Sequence, residues 1–82
     1  MQTESGDPNE QFRIYTPGSL GQAIRHFRQQ AGLTQADLAS QTGLNRTYLS
    51  ALEHGRETEQ LKRLLRVLGK LGVRMTLVKA DR

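Results

Sequence analysis

Asn45, Arg46, Thr47 and Ser50 crowd hydrogen-bonding side chains into the first six residues of "NRTYLSALEHG". Asn45 suits the cap of a helix beginning at Arg46, because its carboxamide oxygen can accept from the amides of the first turn. Arg46, Thr47 and Ser50 then share the outer face of that helix, with Ala51 at its margin, while Leu38, Leu44, Leu49 and Leu52 take inward positions. A helix N-terminus presents free amides and the positive end of a dipole. Arginine adds a planar fork that matches O6 and N7 of guanine, and the hydroxyls add short donors. The chemistry open to this face is hydrogen bonding to base edges and phosphates.

Other reactive residue types are not arranged for chemistry. "GSLG" around Ser19 lacks a nucleophile elbow, and "GKLG" lacks both the spacing and the Ser/Thr of a phosphate loop. Cysteine is absent, and His26 and His54 fall in no ligand spacing, so neither a metal nor a cofactor is expected. His54, in a last helical turn, suits the negative end of its own helix. The acids form no catalytic pair, and the chain is read as non-enzymatic.

Short helices must position the outer face, and their ends are well marked. Thr16 can cap a first helix with Pro17 at its first position and Tyr15 stapled to Leu20; Leu20, Ala23, Ile24 and Phe27 form its apolar face, and Gly32 ends it. Thr34 and Asp37 make a capping box for a second helix, with Leu33 stapled to Leu38. Ala39 allows a close crossing, and Gly43 supplies the positive φ of the tight turn into the third helix. Gly55 closes the third. Thr58 caps a longer fourth, striped with Leu61, Leu64, Leu65, Leu68 and Leu71 and stopped by Gly72.

"VRMTLVK" changes period: Val73, Met75 and Leu77 alternate with polar residues, as in a strand. Only a weak "FRIY" at residues 12–15 offers another. A lone strand leaves its ladder groups unpaired, so pairing with the same strand of a second copy is expected, with Val73, Met75 and Leu77 at the dimer interface. Residues 1–11 are expected to be a disordered acidic tail, residues 12–72 a helical domain, and residues 73–82 a dimerisation strand and tail.

The 82 residues carry +4, unevenly spread. Glu4, Asp7 and Glu10 give the first eleven residues −3; the remainder sets all 12 Lys and Arg against five acids. A basic folded part suits a polyanion, nucleic acid before membrane surface, although a merely solvated basic face has the same charge. No apolar run is long enough for a membrane span, and the polar N-terminus is not a signal peptide. A reducing, cytoplasmic setting fits the lack of cysteine.

"LTQADLASQTGLNRTYLSALEHGR" resembles the helix-turn-helix of the XRE/Cro family of bacterial and phage repressors, which share T-Q-x-x-L-A-x-x-x-G and a following helix ending in L/I-E-x-G. Through "LLRVLGKLGV" the resemblance extends over residues 19–73. It implies a mainly α, lambda-repressor-like domain of four to five helices plus one short C-terminal β-strand pairing across a homodimer. It further implies Asn45, Arg46, Thr47 and Ser50 in the major groove of double-stranded DNA and Gln35, with Thr34, on the phosphates. Tyr48 replaces a small residue, either packing inward or stacking on a backbone sugar, and Glu59 replaces a frequent proline. Arg25 and Arg28 suit phosphate contacts or an ion pair with Glu53. Arg66 and Lys70 suit a solubilising face.

"IYTPGSLGQAIRHFRQQAGLTQADLA" and "VRMTLVKADR" resemble the HipB antitoxins. That resemblance implies a homodimer on a palindromic operator, repressing its own operon on the bacterial nucleoid and binding a HipA-type kinase toxin. The alternatives are a stand-alone phage-type or restriction-control regulator, and a protein-interaction module without specific DNA binding.

Overall fold

The computed structural model describes residues 11–56 and 59–80. The expected acidic tail and the Thr58 cap fall largely or wholly outside them. The chain runs β1 (Gln11–Ile14), α1 (Pro17–Gln30), α2 (Gln35–Thr42), α3 (Arg46–Glu53), α4 (Glu59–Leu71) and β2 (Met75–Val78). The fold is mainly α, with a small two-stranded sheet.

The caps expected at Thr16 and Thr34 form. Thr16 Oγ1 accepts from the Ser19 amide at 3.1 Å, Ser19 Oγ accepts from the Thr16 amide at 3.0 Å, and Pro17 opens α1. Thr34 Oγ1 accepts from the Asp37 amide, and Asp37 Oδ2 accepts from the Thr34 amide at 2.9 Å. These hydrogen bonds hold the Asp37 carboxyl below its usual pKa. Gly43 ends α2 at φ +73°, a conformation that costs glycine little. Leu44 then donates to the Ala39 carbonyl, closing the turn.

The α1–α3 crossing is set by Gly21, which carries no signal in the sequence. A Cβ on Gly21 would collide with the Leu52 carbonyl oxygen and stand 2.6 Å from that of Glu53. The two backbones meet because α1 has no side chain there. Ala23, Ala39, Leu49 and Ile14, one each from α1, α2, α3 and β1, are buried. Leu44, expected inward, is half exposed, because it lies in the α2–α3 turn rather than on a helix face.

The C-terminal strand exists, and within the chain it has a partner. β2 pairs antiparallel with β1 of its own chain, Phe12 opposite Leu77 and Ile14 opposite Met75. The weak "FRIY" strand supplies the ladder groups on one edge of β2, and the other edge of the two-stranded sheet stays open. Met75 and Leu77 face inward, in keeping with the alternation, whereas Val73 precedes the strand and is exposed. Phe12 packs against His26 and Phe27, with ring centroids 4.8 and 5.2 Å away, and the Arg74 guanidinium lies over the Tyr15 ring. Residues 73–80 therefore belong to the same folded unit as the helices.

No helix among the described residues is long and apolar enough to cross a membrane. Among the same residues, no three His, Cys, Asp or Glu side chains are grouped to hold a metal ion.

Candidate nucleic-acid interface

Asn45 Oδ1 accepts from the Thr47 amide at 2.7 Å and the Tyr48 amide at 3.4 Å, which starts α3. The oxygen is occupied by the cap, leaving the carboxamide NH₂ as the group that could meet a base. Arg46, Thr47 and Ser50 follow on the outer face as expected. They line a shallow hollow of about 300 Å³ with Gln35, Ala51 and Arg56. Gln35 begins α2, so the hollow joins the N-terminal turn of one helix to the outer face of the next. Tyr48 is exposed, so the inward alternative for it is not adopted.

Sequence reasoning does not single out Arg56. Its position follows from the end of α3: Gly55 at φ +76° reverses the chain, and the Arg56 amide donates to the Ala51 carbonyl at 2.9 Å. This closure turns residue 56 back beside residues 46–50. The "HGR" that ends the motif is the available signal, since a residue following a left-handed glycine folds back over the last turn.

Beneath the hollow lies a polar network. Arg28 Nε and Nη2 donate to Glu53 Oε2 and Oε1 at 2.6 and 3.0 Å, and Arg28 Nη1 donates to the Leu33 carbonyl at 2.8 Å. Gln35 Nε2 donates to Glu53 Oε1 at 3.0 Å. The carboxylate thus ties α1, the start of α2 and the end of α3 together. The Arg28 hydrogen bonds chiefly, then that from Gln35 and the charges of Arg28 and Arg25, hold the Glu53 carboxyl below its ordinary range against the opposing effect of burial.

This network corrects one expected phosphate contact and narrows another. Arg28 has committed all three guanidinium nitrogens inside the protein and its side chain is 10% exposed, so it takes the ion-pair role rather than reaching DNA. Gln35 has committed one N–H of its carboxamide to Glu53, which leaves its backbone amide and the second carboxamide N–H to donate. Arg25 remains exposed, and Thr34 keeps its hydroxyl proton to donate. His54 Nδ1 lies 2.7 Å from the Ser50 carbonyl, as expected of a histidine at a helix C-terminus.

Two capped short helices, a glycine turn and a basic, hydroxyl-rich outer face define a helix-turn-helix, and the family model for the helix-turn-helix domain matches residues 19–76. The chain belongs to this family of DNA-binding regulators, which is not a family of enzymes. It is 34% identical over 68 residues to the antitoxin HipB of Escherichia coli K12, covering 83% of this chain and 77% of that protein. It is also 35% identical over 60 residues to the immunity repressor of Bacillus phage phi105, covering 73% of this chain and 42% of the repressor. A point variant of HipB solved in complex with an O2 20mer superposes with a TM-score of 0.52 at 35% identity, covering 83% of this chain and 94% of that one.

Proposed function

We propose that the chain is a sequence-specific transcriptional repressor that binds a palindromic operator as a homodimer. Arg46, Thr47, Ser50 and the Asn45 amide would read base edges. Gln35, Thr34, Tyr48, Arg25 and Arg56 would hold the backbone. The carrying observation is the shared hollow in which Gln35, Arg46, Thr47, Ser50 and Arg56 meet, which suits a groove edge and its adjoining phosphates. The excess of bases over the described residues adds sequence-independent attraction.

The finer reading is an autoregulating antitoxin of a HipBA-like pair that neutralises a HipA-type kinase in the bacterial cytoplasm. Its support is the 34% identity to HipB over most of both chains. The phi105 repressor, at the same level of identity, favours a stand-alone phage-type regulator as the second reading. Gel shifts with the duplex upstream of its own gene test the first statement: a shift at protein concentrations that leave scrambled duplex free is expected. Co-expression with a neighbouring kinase-like reading frame separates the finer readings. An antitoxin co-purifies with that kinase and relieves its toxicity, and a stand-alone regulator does neither.

A further inference from the structure

We infer that His54 is a proton-linked phosphate contact: it takes up a proton when DNA binds and then holds a backbone phosphate through Nε2–H. The inference rests on the DNA-binding reading above and adds to it a residue and a dependence on pH.

The tautomer is set by the helix that carries the ring. His54 closes the C-terminal end of α3, and its Nδ1 lies 2.7 Å from the Ser50 carbonyl oxygen. A carbonyl only accepts, so Nδ1 carries the proton in that contact. In the neutral ring Nε2 is then left with a lone pair, which a phosphate oxygen repels. In the imidazolium Nε2 becomes a second donor, and the bond to Ser50 is kept. The negative end of the helix dipole favours this charged form as well.

The surroundings give the second donor a use. His54 is exposed, and with Arg25, Arg28, Gln35 and Glu53 it lines a hollow of about 160 Å³. Gln35 also lines the hollow of Arg46, Thr47, Ser50 and Arg56, so the two adjoin. The charged groups around the ring are Arg25 and Arg28 from α1 and Glu53 from its own helix, while α2 contributes the uncharged Gln35. Arg28 and Glu53 already neutralise one another. What remains for an anion is the exposed Arg25 guanidinium, the second N–H of the Gln35 carboxamide and, once protonated, His54. A phosphate held by Arg25 beside the ring stabilises the imidazolium, so binding and protonation each favour the other.

Histidine is the side chain whose charge ordinarily changes between about pH 5 and 8. Glu53 stays ionised through the upper part of that window, because its carboxyl is held below its ordinary range. The strut beneath the hollow therefore does not titrate with the ring. His26, the other histidine, belongs to the ring cluster of Phe12 and Phe27 and lines neither hollow.

Duplex titrations of the full chain at about pH 8 and about pH 6, each over a range of salt, test this with wild type, His54→Gln and His54→Lys. Far-UV circular dichroism checks that all three are folded. For each bound chain, wild type should hold upstream and scrambled duplexes on the order of 5-fold more tightly at the lower pH, as for one added exposed ion pair. Its salt slope should steepen by about one per chain. His54→Gln should show neither change, and His54→Lys should hold the tight, steep state at both pH values. A wild type whose affinity ignores pH, or a His54→Gln protein that keeps the full dependence, would overturn the proposal. The first of these results, from a wild type that still prefers the upstream duplex, defeats this inference alone. A wild type whose pH dependence is lost in His54→Gln, but which does not tell the two duplexes apart, defeats sequence-specific reading and leaves the phosphate contact standing.

Discussion

Gln35, the first residue of α2, donates its side-chain amide to the carboxylate of Glu53, the last residue of α3, at 3.0 Å. The two ends of the helix-turn-helix are thereby closed on one another, and Arg28 locks the closure from α1. The side chain that a motif-based reading assigns to phosphate is thus partly an internal strut.

Breaking this network from one side leaves a buried charge. Glu53→Leu strands Arg28 and should cost about 3 kcal/mol, a fall in Tm on the order of 15 °C for a domain of this size. The double variant Arg28→Met, Glu53→Leu should recover most of that loss, because no buried charge remains. Thermal melts of the three proteins decide it; equal losses in the single and double variants would show that the pair is not the source.

The same carboxylate sets a pH dependence. Its folded pKa is below the unfolded value, so its contribution is complete above the usual carboxylate range and is lost as pH falls through the folded pKa. Tm should stay level above about pH 5 and fall in more acidic buffer, with a shallower fall in Glu53→Gln. Identical profiles for the two proteins would remove Glu53 from the explanation.

Local features are legible because they are written within a few residues. Thr16, Thr34, Asp37, Asn45 and Gly43 declare their roles through neighbours a few positions away. The β1–β2 pairing is not legible, since alternation in "VRMTL" shows a strand and a face but not a partner, and Phe12 lies far along the chain from Leu77. Sequence leaves Arg28 open between phosphate contact and ion pair because exposure separates the two roles, and exposure depends on the α1–α3 crossing. Gly21 reads as an ordinary helix glycine for the same reason.

That crossing can be tested at one atom. Gly21→Ala should destabilise by more than about 2 kcal/mol, because the added methyl meets backbone carbonyls that cannot rotate away. Gly43→Ala, with open space around its Cβ but φ +73°, should cost only about 1 kcal/mol. Denaturant midpoints rank the two, and the reverse order would contradict the close approach.

Asn45 has a capping role that can be separated from base reading. Asn45→Asp keeps the cap and places its charge favourably at the start of α3, so stability should be unchanged. The same change removes the NH₂ donor and brings a negative charge to DNA, so operator affinity should fall. Asn45→Ala should lose about 1 kcal/mol of stability. Full operator affinity in Asn45→Asp would confine this residue to the cap.

The measurement closest to the DNA-reading assignment is a paired titration of wild type, Arg46→Ala and Arg56→Ala against upstream and scrambled duplexes over a range of salt. Arg46→Ala should lose roughly 1–3 kcal/mol on the upstream duplex and little on the scrambled one, as for a base-edge contact. Arg56→Ala should weaken both alike and lower the salt slope by about one. Equal weakening of both duplexes by Arg46→Ala, from a wild type that binds them with the same affinity, would contradict sequence-specific recognition by α3.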